Sequence, residues 1–172
     1  MTKFITVLML AVLGLGAGEM TLASSQNPES KIKTVFVFNF TKYIQWSSES
    51  QEFVIGVVGG DNETLTAFKS MAKQKSAASR KIVIREIESA VDYSTCNIIY
   101  ITEENSNKLS EIKSKRLKNI LIVTEKEGMA EKGSGINFVK KDGKLRFELN
   151  EKVVENSGLK VSSQLKGLAI LV

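Results

Sequence analysis

The 172-residue chain contains no histidine, one cysteine and one proline. The absence of histidine excludes His-containing catalytic triads, His-ligated zinc and the side chain that most often acts as a general base near neutral pH. With Cys96 alone, the chain can form neither an internal disulfide nor a cysteine-based metal cluster. The G-K-[ST], G-x-G-x-x-G and G-x-S-x-G signatures are also missing. We therefore expect a protein that is not an enzyme and that carries no metal and no other cofactor.

The charge of the chain is balanced apart from a small basic excess. It has 24 Lys and Arg against 19 Asp and Glu, which gives a formal net charge of +5. The lysines are scattered, and the densest basic run, 113–118, falls at a predicted helix end, where cations interact favourably with the helix dipole. This pattern is typical of a solvated helix terminus, and we expect no nucleic-acid binding.

Only the N-terminus holds a long apolar run. Lys3 precedes an apolar segment over 4–17, and the small-residue pattern at 21–23 is typical of a signal-peptidase site. The run is short for a membrane span, so residues 1–23 are predicted to be a signal peptide. Residues 24–30 are expected to form a flexible lead-in and residues 31–172 a single α/β domain. The mature chain is then soluble, does not itself span a membrane, and lies in the periplasm if the source has two membranes.

Apolar runs and amphipathic segments alternate through the middle of the chain. Strands are predicted over 53–58, 81–87, 97–102 and 119–125, with helices over about 61–75 and 103–117. Such alternation is typical of parallel sheets with right-handed crossovers. The fold class is therefore α/β: a single domain with a mixed, mostly parallel sheet of about six strands, flanked by helices.

The C-terminal third predicts a different local structure, an antiparallel hairpin. Asp142-Gly143 is a two-residue turn signal, and it sets Lys141 opposite Lys144 and Phe138 opposite Phe147. The alternation of apolar residues selects the same register. A short helix over 151–156 follows, and a last helix begins at Ser162 or Ser163, with an apolar stripe over Leu165, Leu168, Ala169, Leu171 and Val172.

The aromatic stretch 33–46 is predicted to be a helix with two apolar sides. One side carries Phe36, Val37, Phe40, Tyr43 and Ile44. The other carries Val35, Phe38 and Trp46, beside Asn39 and Lys42. This second side is either buried under the C-terminal helix or left exposed for a partner.

Weak signals elsewhere have ordinary structural explanations. Gly59-Gly60-Asp61 lies between a strand and a helix, where phosphate can bind, but the signal is weak and a tight turn with a helix cap is the favoured explanation. The pair Glu103-Glu104 suits a helix N-terminus, and Cys96, with no histidine to activate it, is expected to be a packed thiol. The 59–61 turn remains the candidate ligand site of an alternative function, a periplasmic protein that senses a nucleotide or another small molecule. A secreted hydrolase is a weaker alternative from another class.

The order of motifs resembles the YfiR family. The motifs are VFVFNFTKYIQW, FVIGVVGGD, CNIIYIT, NILIVTE, GSGINF, KLRFELN and SGLKVSSQLKGLA, spread over about 31–169. The resemblance implies a periplasmic α/β protein without enzymatic activity that binds the periplasmic domain of an inner-membrane diguanylate cyclase and holds it inactive. Release of the cyclase then raises cyclic-di-GMP and promotes biofilm formation. Better-studied members carry disulfides, which Cys96 alone cannot reproduce.

We therefore predict an exported regulator that acts by contact with an inner-membrane cyclase or a related sensor, or with a second copy of the chain as a homodimer. The first candidate partner-binding surface comes from the aromatic helix, with Phe38 and Trp46 expected as exposed anchors. The second follows the hairpin and rests on the resemblance. Together the partner-binding candidates are Val35, Phe38, Lys42, Trp46, Asn150, Gly158, Leu159 and Ser162, and the ligand-binding candidates are Gly59, Gly60 and Asp61.

Overall fold

The computed structural model describes residues 28–47, 50–77, 80–88 and 90–172. The predicted signal peptide and the first four residues of the predicted lead-in lie outside these ranges. The chain from Pro28 to Tyr43 is helix α1, so the helix begins within the segment expected to be a flexible lead-in. Proline suits a first helical turn, because the amide hydrogen that it lacks has no partner within the helix there.

The remaining elements follow in the alternating order that the sequence predicts. The other helices are α2 (Asn62–Gln74), α3 (Lys108–Ser114), α4 (Glu151–Asn156) and α5 (Ser163–Leu168), with 3-10 helices at Ala90–Thr95 and Glu103–Asn105. The strands are β1 (Ile44–Gln45), β2 (Glu52–Val58), β3 (Ser76–Ala77), β4 (Arg80–Ile87), β5 (Ile98–Ile101), β6 (Leu121–Thr124), β7 (Ile136–Lys141), β8 (Lys144–Leu149), β9 (Lys160–Val161) and β10 (Ile170–Leu171).

Eight of these strands form one sheet, in the order β10-β8-β7-β6-β5-β2-β4-β3. Its central part, from β4 across β2, β5 and β6 to β7, is parallel, and β7 and β8 form the antiparallel hairpin. The hairpin register places Phe138 opposite Phe147 and Ile136 opposite Leu149, as the sequence predicts. The predicted fold class is confirmed.

The sheet separates two apolar cores. On one face, α1 lays Phe40 against Phe147, with ring centroids 5.2 Å apart, and α2 lays Phe68 against Tyr100 at 4.8 Å. On the other face, Leu109 and Ile112 of α3 cover the second core. The central strands are buried on both sides, which explains their continuous apolar runs.

The structure differs from the sequence prediction at short elements. Helix α1 ends at Tyr43, and Ile44 pairs with Val161 in the small β1–β9 ladder. The predicted helix over 103–117 is a 3-10 turn followed by the shorter α3. The predicted last helix stops at Leu168, and Leu171 becomes part of β10, parallel to β8. Two-residue strands leave no period in a sequence, so only tertiary pairing reveals them.

Candidate functional site

The second apolar side of α1 is divided between burial and exposure. Phe38 is only 8% exposed, with the ammonium of Lys42 4.4 Å and that of Lys75 5.7 Å from its ring centroid. Helix α2 packs against this side of α1. The expectation that Phe38 is an exposed aromatic anchor is therefore wrong. Val35, in contrast, is 56% exposed.

Trp46 lies beyond the end of α1, after β1, and not on the helix as expected. Its indole packs edge-on against Phe53, with ring centroids 4.9 Å apart, and Nε1–H donates a long hydrogen bond of 3.4 Å to the Asn97 carbonyl. The Arg80 guanidinium lies 4.9 Å from the Phe53 ring centroid. Trp46 is therefore held in place but only partly buried.

The structure brings together parts of the two predicted surfaces. The β1–β9 ladder joins the end of α1 to the segment before α5, and the Ser162 amide donates to the Tyr43 carbonyl at 2.9 Å. A cleft of about 530 Å³ results, and Lys42, Trp46 and Ser162 all line it. The charged residues in its lining are cations, namely Lys42, Arg80 and Lys160. A protein that contacts this cleft would therefore present acidic groups.

The other residues of the second surface have clear structural roles. The Asn150 side chain accepts from the Val153 amide at 3.2 Å as the N-cap of α4 and donates to the Ala130 carbonyl at 3.0 Å. Gly158 ends α4 with a φ of 90°, which favours glycine. Leu159 is 1% exposed and belongs to the core. None of these three residues lines the cleft, and their direct contact with a partner remains a prediction.

The Gly59-Gly60-Asp61 turn is packed against its neighbours. Gly59 has a φ of 69°, and a Cβ there would overlap the Asn105 amide. Asp61 accepts from the Thr64 amide at 2.6 Å and is the N-cap of α2, as predicted. Close packing and capping therefore account for this sequence pattern. The prediction of an anion site at this turn remains untested.

A partly buried charged cluster, which sequence reasoning did not identify, lies where β6 ends. The Lys33 ammonium is 3.2 Å from Glu125 and 3.0 Å from Glu29, and Glu29 also pairs with Lys140 at 2.7 Å. The Tyr100 hydroxyl donates to Glu125. A lysine on the inner side of an apolar helix was the available signal, because such a position needs a buried partner.

The environment shifts the pKa values of Glu125, Lys33 and Glu29 in this cluster. Burial raises the pKa of Glu125, although the Lys33 ammonium and the Glu103 amide oppose that shift. Burial alone would lower the pKa of Lys33, but attraction to Glu125 and Glu29 outweighs it and the pKa is raised. Hydrogen bonding to Lys140 and Lys33 lowers the pKa of Glu29 despite partial desolvation. The cluster thus fastens the start of α1 to the sheet through paired charges.

Five large apolar side chains in the described part of the chain are exposed. Each is between 48% and 58% accessible, and they are Ile32, Val35, Leu168, Leu171 and Val172. We call them the α1–C-terminal patch. Phe36 of α1 contacts Phe147 of β8, with ring centroids 5.7 Å apart, and β10 is the neighbour of β8 at the sheet edge. Because Leu171 is paired with Leu149, it points to the sheet face that α1 covers.

This arrangement corrects the predicted stripe of the last helix. Of its members, Leu165 is buried, but Leu168, Leu171 and Val172 are exposed. Helix α5 is too short to cover α1, and the chain turns into the edge strand instead.

Within the described ranges, no helix has the length and apolar content to cross a membrane. The same residues include no group of three or more acidic or Cys side chains placed to hold a metal ion.

Comparison with solved structures supports the fold. A crystal structure of a conserved domain protein from Vibrio cholerae O1 biovar eltor superposes with a TM-score of 0.52 at 11% sequence identity. The match covers 83% of this chain but only 59% of the other, so this chain spans well under two thirds of that protein. None of the curated proteins that were compared with the chain matches it.

The family comparison covers most of the chain. A profile of the YfiR/HmsC-like family matches residues 30–170, from the start of α1 to β10. The matched region includes the cleft, the charged cluster apart from Glu29, and three of the five patch residues, Ile32, Val35 and Leu168. That family is periplasmic and is known for regulation rather than for catalysis. Sequence motifs, fold and profile agree, and the chain belongs to the YfiR/HmsC-like family.

Proposed function

We propose that this protein regulates an inner-membrane signalling protein by binding its periplasmic domain, and that the target is a diguanylate cyclase held inactive by the contact. Export to the periplasm by the predicted signal peptide is part of this proposal. The α1–C-terminal patch supplies the apolar centre of the interface. The cationic cleft that contains Lys42 and Trp46 supplies its polar margin.

The single observation that carries the proposal is the exposure of the α1–C-terminal patch. Exposed single apolar residues are common, but here two sit on α1 and three on the adjoining C-terminal segment. Val35 and Lys42 are seven residues apart on α1, so they lie on nearly the same face, two turns apart. Val35 therefore lies on the side of α1 whose C-terminal end carries Lys42 at the cleft.

The chemistry of this surface favours a protein partner. An apolar centre with a cationic margin matches a surface that presents apolar side chains and carboxylates. Full burial of a Val or Leu side chain contributes about 1.5–3 kcal/mol, so completing the burial of half-exposed residues contributes about 1 kcal/mol each. Several such residues together are enough to make the patch a substantial part of a binding interface.

Inhibition by contact requires a preference for one state of the cyclase. A regulator shifts a conformational equilibrium only as far as its affinities for the two states differ. Moving a cyclase from almost fully active to almost fully inactive requires about a 10⁴-fold preference, or roughly 5.5 kcal/mol. We therefore expect the patch to fit the inactive form of the periplasmic domain.

The direct test is an affinity measurement on purified proteins. The mature chain is titrated with the periplasmic domain of an inner-membrane diguanylate cyclase from the same organism, and in a second arm with that of a sensor kinase. Val35→Asp and Leu171→Asp are each expected to weaken binding to the cyclase domain at least tenfold, because an aspartate would be buried without a partner. The control is Lys115→Asp, which introduces the same side chain on the opposite side of the sheet.

The outcomes separate the possibilities. If the two patch variants bind the cyclase domain as tightly as Lys115→Asp does, the patch is not the interface. Binding to the kinase domain alone would reject the cyclase as target. Analytical ultracentrifugation covers the remaining alternative: if the wild type is a stable dimer that Val35→Asp dissociates, the patch is covered by a second copy.

A further inference from the structure

We propose that a second site, at the start of β6, binds a fatty acid. The site is a cleft of about 540 Å³ between α3 and α4, over the start of β6. We call it the α3–α4 cleft. This volume falls in the range of small-molecule sites, about 300–1,000 Å³. The proposal does not depend on partner binding, because no residue of the α1–C-terminal patch lines this cleft.

The interior of the α3–α4 cleft is apolar. Helix α3 contributes Ile112, and α4 contributes Val153 and Val154. Ile120 and the first two residues of β6, Leu121 and Ile122, form its floor. Ile122, Val153 and the neighbouring Leu117 are only partly buried. An acyl chain lying along this floor would remove their remaining apolar surface from water.

The charged side chains that line the cleft are all cations. They are Lys113, Arg116 and Lys118, and no carboxylate lies in the lining. Lys118 donates to the Asn156 carbonyl at 2.7 Å, and Lys113 donates to the Lys132 carbonyl. An ammonium has three donors, so both lysines keep donors for an anion. Arg116 is exposed and pairs with no carboxylate in the described part of the chain.

The walls of the cleft are fixed by backbone contacts. Arg116 has a φ of 48° and Asn119 a φ of 58°, both left-handed values that cost free energy in residues other than glycine. The Asn119 amide donates to the Ser157 carbonyl at 2.6 Å, which ties the loop to the end of α4. At Gly135, a Cβ would lie 3.0 Å from both Leu121 and Val154. The cleft is therefore formed before any ligand enters it.

These features together select the class of ligand. A bare anion would use the cations but would leave the accessible surface of Leu117, Ile122 and Val153 in water. A neutral apolar molecule would fill the floor but would pair with none of the three cations. A single acyl chain with a carboxylate satisfies both, because the chain covers the floor while the carboxylate takes the bidentate donors of Arg116.

The test uses dodecanoate below its critical micelle concentration, with isothermal titration calorimetry on the mature chain. We expect saturable binding to one site. Arg116→Gly should weaken it at least tenfold, since it removes the charge while glycine accepts the left-handed backbone. Lys115→Gly is the matched control: it removes a neighbouring cation that does not line the cleft, and its affinity should stay within about twofold of the wild type. Val153→Asp should also weaken binding, because it places a carboxylate on the apolar wall.

Three further titrations can overturn the proposal. Dodecyl maltoside has the same chain but no charge, and equal affinity for it would show that the cations play no part. Sodium sulfate displacing dodecanoate at similar concentrations would identify a simple anion site. Absence of saturable dodecanoate binding, or an equal loss in Arg116→Gly and Lys115→Gly, would also refute it. Circular dichroism of each variant confirms that the fold is intact, and Arg116→Gly is expected to be at least as stable as the wild type.

Discussion

Replacement of Lys33 by methionine tests how the charged cluster holds α1 on the sheet. The Lys33 side chain is 14% exposed and that of its partner Glu125 is 13% exposed. Methionine keeps most of the apolar stem and removes only the charge. Glu125 then keeps the Tyr100 hydroxyl and the Glu103 amide but loses its counter-ion.

The expected loss in the free energy of unfolding of Lys33→Met lies between two known limits. Breaking a fully buried pair costs about 3–5 kcal/mol, and breaking an exposed one about 0–1 kcal/mol, so we expect about 2 kcal/mol here. For a domain of this size that corresponds to roughly 4–8 °C in Tm. The matched control is Lys140→Met, because the Lys140 side chain also pairs with Glu29 but is 67% exposed. That variant should lose little stability.

The pH dependence of this loss follows from the pKa shifts. The pKa of Glu125 is raised on folding, so its carboxylate opposes folding once the pH exceeds the unfolded pKa of about 4.3. Without Lys33 that pKa rises further, and the penalty near neutral pH grows. Below the unfolded pKa, Glu125 is protonated in both states and the difference between wild type and variant shrinks. The pKa of Lys33 is raised on folding, so its charge stabilises the fold fully below the unfolded lysine pKa of roughly 10. This stabilisation is lost as the pH rises through the higher pKa of the folded state.

Urea denaturation at several pH values measures this directly. We expect the difference between wild type and Lys33→Met to be largest near neutral pH and to shrink in acid. If Lys33→Met and Lys140→Met are equally stable, or if the loss does not change with pH, the proposed burial of the Lys33–Glu125 pair is wrong.

Three other substitutions or treatments test local features. Gly143→Val places a β-branched residue at a φ of 70° in the hairpin turn and should lower the free energy of unfolding, measured by urea denaturation, by about 1–2 kcal/mol. Lys144→Val is the control, and equal losses in the two variants would contradict the turn assignment. Asn150→Ala removes the α4 cap and the link to Ala130 and should lower stability by about 1–2 kcal/mol, whereas a neutral effect would rule out the capping role. Cys96 is 4% exposed and should react with a thiol reagent only as fast as the protein opens; rapid reaction of the native protein would show that the thiol is accessible.

The parts of the fold that the sequence predicts well are those with strong local patterns. The register of the hairpin follows from Asp142-Gly143 and the alternation of Phe138 and Phe147 with polar residues. The start of α2 follows from Asp61, and the short helix α4 lies at the predicted residues. In each case turn chemistry and apolar period favour the same structure, so local information is sufficient.

The candidate site was harder to predict because it depends on tertiary packing. Nothing local tells whether Phe38 or Val35 remains exposed, since the path of α2 decides it. The end of α1 depends on a two-residue pairing with a segment more than a hundred residues away. The Lys33–Glu125 pair joins residues from the first helix and the end of β6. A helical wheel orders the sides of a helix but does not show which neighbour covers them.

The most direct test of the proposed function is the level of cyclic-di-GMP in cells that produce the membrane-bound cyclase together with this protein. We expect the wild type and Lys115→Asp to lower cyclic-di-GMP, whereas Val35→Asp and Leu171→Asp, exported in equal amounts, should leave it high. Equal repression by all four proteins would contradict the claim that the α1–C-terminal patch is the regulatory contact. A lack of repression by the wild type would contradict the assignment of a cyclase as the target.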